Sequence, residues 1–124
     1  MRVYKVVKKR KGELFSAVVM GRVEVEYKKG VWATPPRWLE EEGYLLTAFK
    51  SLEQAVKFKN LNKEIGWELE IWEAEGEDGH ITVPPLNVYL LEQGEFFSEG
   101  DILSWPEGTI FMKKLRLLKK VKGV

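Results

Sequence analysis

The chain has 124 residues, 44% of them apolar, and its 20 Lys and Arg against 19 Asp and Glu leave a net charge of +1. That size fits one domain over 1–124, and the composition is too apolar and too near neutrality for a disordered chain. Cysteine is absent and His80 is the only histidine, which excludes disulfides, thiolate metal sites, cysteine nucleophiles and multi-histidine sites.

In chain order, RVYKVVK (2–8) is rich in β-branched and aromatic residues and predicts a strand, with KRKGE as the turn after it. LFSAVVM (14–20) is almost continuously apolar and predicts a central strand covered on both faces, broken by Gly21 and Arg22. VEVEY (23–27) alternates, so Val23, Val25 and Tyr27 share one face and Glu24 and Glu26 a wet one. VWATPPRWLEEEG (31–43) reads as a long connection, because Pro35 and Pro36 cannot donate to a ladder, and its EEE run (40–42) as exposed surface.

YLLTAF (44–49) predicts another strand. The next segment, KSLEQAVKFKN, predicts the one main helix, about 51–61. Ser51 is a good N-cap, Gln54 completes a capping-box pattern, and Glu53 suits the positive end of the helix dipole. Leu52, Ala55 and Val56 form a stripe that Phe58 widens, with Lys59 near its middle. So short a helix is marginal alone and must pack on a sheet.

ELEIWEAE (68–75) predicts a strand and GEDGH a turn. ITVPPLN holds a second proline pair. Further short strands are expected at 88–92 and 101–103, and WPEGT (105–109) carries a type I turn pattern. IFMKKLRLLKKV (110–121) fits strand or helix, and the preceding turn favours strand. The expected fold class is α+β: a twisted, mostly antiparallel sheet, with a half-open barrel as one form of it, and one main helix packed on it.

The charges are segregated. Arg2, Lys5, Lys8, Lys9, Arg10 and Lys11 crowd the first twelve residues, and Lys113, Lys114, Arg116, Lys119, Lys120 and Lys122 the last thirteen, with no acid in either. All 19 acids and the other eight bases lie between, so the ends carry +12 and the middle −11. Two arrangements follow. Basic terminal strands can pair with acidic strands such as VEVEY and ELEIWEAE, each cross-strand pair contributing a few tenths to about 1 kcal/mol. Alternatively the two ends present a basic surface that attracts phosphate backbones or an acidic protein.

Trp32 and Trp38 bracket TPPR and are candidate exposed aromatics for stacking bases or sugars, against the plainer role of packing on the prolines. Glu73, Glu75, Glu77, Asp78 and His80 cluster, but their spacing matches no calcium loop, and no metal is expected. No nucleophile elbow, Walker pattern or dinucleotide glycine pattern occurs, so no catalytic or cofactor residue is assigned. The opening MRVYKVVKKRKGE lacks a signal-peptide apolar core, and LFSAVVMG is far shorter than the roughly 20 residues of a membrane helix. A cytoplasmic protein is expected, with no membrane partner.

YKVV, EYKKGVWATPP, AFKSLEQAVKF, EIWEAE and WPEGT leading into LRLLKKV together resemble small uncharacterised proteins of archaea, phages and other viruses, of a domain-of-unknown-function type. Abundant Lys, Arg and Glu with few Asn and Gln suits a hyperthermophile. A strand, then a strand leading into a Ser-capped helix, then EIWEAE is also loosely similar to the NAD-binding half of ADP-ribosyltransferases. That resemblance implies an early Arg or His, for which Arg2 or Tyr4 stands nearest, but the Ser-x-Ser element is absent and no late Glu is distinguished. The expectation is a non-enzymatic binding module, taking nucleic acid through its basic terminal segments. A small NAD-dependent transferase and a homo-oligomeric structural protein are the alternatives.

Overall fold

The computed structural model describes residues 1–17, 24–63, 66–81 and 107–124. The strands expected at 88–92 and 101–103, the second proline pair and Trp105 lie outside the described residues. The elements are strands Arg2–Arg10 (β1), Glu13–Ser16 (β2) and Glu26–Tyr27 (β3), helix Arg37–Glu41 (α1), strand Leu46–Phe49 (β4), helix Leu52–Leu61 (α2), and strands Glu68–Gly79 (β5) and Thr109–Lys120 (β6).

The fold is α+β. All strand pairs are antiparallel, in the order β3-β2-β1-β4-β6-β5, and β5 also pairs with β1. Strands β1, β4, β6 and β5 thereby close a four-stranded barrel. The seam between β1 and β4 is a single residue pair, Tyr4 with Phe49.

Strand β1 is the hub, and its sequence shows why. Val3 and Val7 point into the barrel, where they meet Tyr27, Leu46, Ala48, Ala74, Met112, Leu115 and Leu117. Val6 points to the other face and meets Ala17, Phe49, Ala55, Leu69 and Ile71, with Tyr4, Leu52, Val56 and Phe58 around them. Each fully buried Val, Leu, Ile, Phe or Met among them contributes on the order of 1.5–3 kcal/mol.

Helix α2 roofs that second cluster. Its capping residue acts as expected: the Ser51 hydroxyl accepts the Gln54 backbone N–H at 3.1 Å. The Gln54 amide lies over Gly108 and would clash with any Cβ there, and Gly108 has a left-handed φ of +81°. Ala55 is fully buried, and Phe58 meets Phe49 with ring centroids 5.2 Å apart. The Lys59 ammonium runs out from the stripe to the Val124 carbonyl at 2.6 Å. This helix covers a sheet, and its sequence is accounted for by that packing.

Three expectations are corrected. The connection over 31–43 contains α1, which starts directly after Pro36 and buries Leu39. At five residues it is too short for a periodic pattern to announce it. GEDGH is not a turn: β5 runs on through Gly79, because β6 supplies ladder partners as far as Phe111. Bulges at Glu73/Ala74 and Glu77/Asp78 absorb the register mismatch. Gly76 is required there, since a Cβ would collide with the Lys114 carbonyl and come within 2.8 Å of the Met112 methyl. Finally, Glu24 does not face water, and only 10% of its side chain is accessible.

Candidate nucleic-acid interface

The two basic segments are both strands, and they flank one acidic strand. β1 lies on one edge of β5 and β6 on the other, so the chain ends are separated by β5 rather than adjacent. Glu70 on β5 takes Lys120 from β6 at 3.1 Å and Lys9 from β1 at 4.0 Å. Glu75 binds Arg116, and Glu77 sits 3.7 Å from Lys113, the extra residue of a bulge. Arg2 stands opposite Glu75, and Lys119 opposite Glu73. Much of the terminal charge is thus balanced across the strands.

Two of the twelve basic residues are inside the protein. Lys5 shares the inward phase of Val3 and Val7, and its ammonium donates to the Thr47 carbonyl at 2.6 Å, 5.3 Å from the centre of the Tyr27 ring. Lys8 is fully buried and binds Glu24 at 2.7 Å, with the Trp67 ring 5.6 Å away. Their burial follows from β1 being covered on both faces, and it removes them from the expected basic surface. Arg10 also binds Glu24, at 2.7 Å, between the rings of Phe15 and Trp67. Lys11 is exposed in the hairpin turn, and Lys122 lies exposed beyond β6.

Burial alone pulls the Lys5 pKa down to about 8. Glu24 is pushed up by burial, but hydrogen bonds and charge from Lys8 and Arg10 win and hold it below the usual carboxylate range. Glu70 behaves alike: burial raises it, while the Trp72 indole N–H, Lys120 and Lys9 together bring it below that range. Tyr27 is raised by burial against a hydrogen bond with Ser16. Glu24 and Glu70 are thus held charged by their basic partners.

One corner differs. The Lys28 carbonyl accepts from Val31 in a turn, and Gly30 provides its positive φ of +77°. Residues 30–33 then run along β6: Gly30 donates to the Leu117 carbonyl at 2.8 Å, and Ala33 and Leu115 exchange bonds at 2.7 and 3.0 Å. Pro35 and Pro36 end the pairing, since neither has an N–H. Ala33 packs against the barrel core, so the neighbouring Trp32 points outward. On β6, Leu115 and Leu117 point inward, so Lys114 and Arg116 point outward on the same side. Both cations come 4.6 Å from the Trp32 ring centre, and Trp32 remains 43% exposed. Val31 beside it is 55% exposed.

Among the described residues Lys28, Lys29 and Lys114 form no ion pair. Lys11, Lys119 and Lys122 are likewise without an ion pair, but none of them stacks on an aromatic ring among the described residues. Trp38 is half-buried on α1. Of the twelve expected basic residues, the structure therefore gathers Lys114 and Arg116 at an exposed aromatic. Lys28 and Lys29, which the sequence marks only as the end of a strand, lie exposed in the turn that leads into Trp32. The signal was the sequence KKGVW itself, whose meaning depends on the distant bridge to Leu115.

The other candidates offer less. Among the described residues no cluster of three or more side chains could hold a metal. A shallow open depression of about 200 Å³ lies over Glu73, Lys119, Lys120, Val121 and Lys122. It is smaller than ordinary small-molecule sites, which run to several hundred Å³. Arg2 is exposed, and Tyr4 packs beneath α2. No helix among the described residues is long and apolar enough to cross a membrane. No protein-family model matches the chain, and neither a curated protein nor a solved structure matches it.

Proposed function

We propose that this protein is a non-enzymatic module that binds nucleic acid through positive charge that forms no ion pair among the described residues. The observation that carries this is Lys114 at the exposed Trp32 ring, with Lys28 and Lys29 exposed in the turn that leads into it: among the described residues these three form no ion pair, while Lys9, Lys113, Arg116 and Lys120 are engaged by carboxylates. Unpaired exposed ammonium groups release counterions from a phosphate backbone, which favours association at low salt. In this reading the protein works in the cytoplasm of a heat-adapted organism or its virus. The ion pairs between β1, β5 and β6 then serve stability at high temperature, where such networks are worth most.

An electrophoretic shift series with mixed DNA and RNA over a range of salt tests it. A shift at low salt that fades as salt rises is expected, weakened by reversing the charges of Lys28, Lys29 and Lys114 together. Absence of any shift at the lowest salt would remove nucleic acid as the partner.

A further inference from the structure

Resting on that nucleic-acid reading, we propose that Trp32 is a stacking platform for an unpaired base, so that the ligand is a single strand. The indole keeps 43% of its surface open, and the backbone beneath it is pinned by the bonds between Ala33 and Leu115. Lys114 and Arg116 both come to the ring from β6. A platform fixed in this way loses little freedom when a base settles on it. Glu75 engages Arg116, which therefore orients the ring, while Lys28, Lys29 and Lys114 remain for phosphates.

A duplex fits the surface poorly. Its bases are already stacked on one another and offer no free face to an indole. Groove reading needs a helix or ribbon that can enter the groove, and neither helix among the described residues is suited. α1 has five residues and carries Glu40 and Glu41. α2 is packed on the sheet and turns Glu53, Lys57 and Asn60 outward. Stacking on an aromatic is indifferent to base identity, so a sequence-tolerant single-strand contact follows.

The test uses the full chain and two labelled probes, an oligothymidylate of about 12 nucleotides and a hairpin duplex of about the same length, read by fluorescence anisotropy. The single strand is expected to bind at least ~10-fold tighter than the duplex, and Trp32→Ala to lose roughly 10-fold on the single strand only. Trp32→Phe keeps a ring in place and should retain most of the affinity, which covers the case in which the alanine variant does not fold. Three cations predict a single-strand salt slope of about −2, falling by about 0.7 in Lys114→Ala. Equal binding of both probes with no effect of Trp32→Ala overturns the stacking platform and leaves the nucleic-acid reading standing. Failure of both probes to bind at low salt overturns both.

Discussion

Lys5 is the sharpest test of the folded structure, because it is a charge with almost nothing to hold it. Its ammonium lies in the barrel with one hydrogen-bond acceptor, the Thr47 carbonyl at 2.6 Å, and the Tyr27 ring nearby. Burial lowers its pKa from 10.5 to about 8. At about 1.4 kcal/mol per unit, keeping the ammonium charged inside costs on the order of 3 kcal/mol. The sign follows from linkage. Below pH 8 the group is protonated folded and unfolded, and the full cost stands. Between about 8 and 10.5 the unfolded chain holds a proton that the folded chain lacks, so stability rises with pH. Replacing Lys5 by Met removes the charge and fills much the same volume. After about 1 kcal/mol for the lost hydrogen bond, Lys5→Met is expected to gain about 2 kcal/mol at pH 7. For a chain of this size that is roughly 6–10 °C in melting temperature. Melting curves from pH 7 to 10 should show the gap between variant and wild type narrowing as pH rises. A variant that melts below wild type throughout, or a gap that ignores pH, would refute the placement of Lys5 in the barrel.

Other substitutions probe other parts of the fold. Glu70→Gln keeps an acceptor for the Trp72 indole but drops the charge between Lys120 and Lys9. It should cost about 1–2 kcal/mol at neutral pH and low salt. Because the folded Glu70 pKa is depressed, that difference should be complete above the ordinary carboxylate range and fade as acid denaturation curves pass below it. Gly76→Ala forces a methyl against the Lys114 carbonyl and should lower stability by about 2 kcal/mol or more in urea titrations. Ser51→Ala removes the cap of α2 and should cost about 1 kcal/mol, with hydrogen exchange accelerating first at the Gln54 amide.

The parts of this structure legible in the sequence were those with local causes. Ser51, Ala55 and Phe58 specify α2 through a cap and a stripe, and KRKGE marks the turn before β2 through Lys11 and Gly12 at positive φ. The segregated charges left two arrangements open, basic strands pairing with acidic ones or an exposed basic surface, and Glu70, Glu75 and Glu77 do receive basic side chains. What could not be read depends on partners distant in sequence. Glu24 looks like the wet face of an alternating strand until Lys8 and Arg10 are brought to it. Lys5 and Lys8 look like surface charge in a basic run, because only the closed barrel covers Lys5, and only Glu24 and Trp67, brought to the other face of β1, cover Lys8. Trp32 looked equivalent to Trp38; the bond pair between Ala33 and Leu115 separates them, setting Trp32 outward beside the β6 cations Lys114 and Arg116 while Trp38 is half-buried on α1.

The central proposal is that Lys28, Lys29 and Lys114, without an ion pair among the described residues, meet nucleic acid beside Trp32. Backbone and indole N–H chemical shifts recorded while an oligothymidylate is titrated in at low salt address it residue by residue. The account predicts that the largest shifts fall at 28–33 and 113–117, with the Trp32 indole among them. Shifts centred on Lys11 or Lys122 with the Trp32 indole unmoved, or a spectrum that does not change, would contradict it.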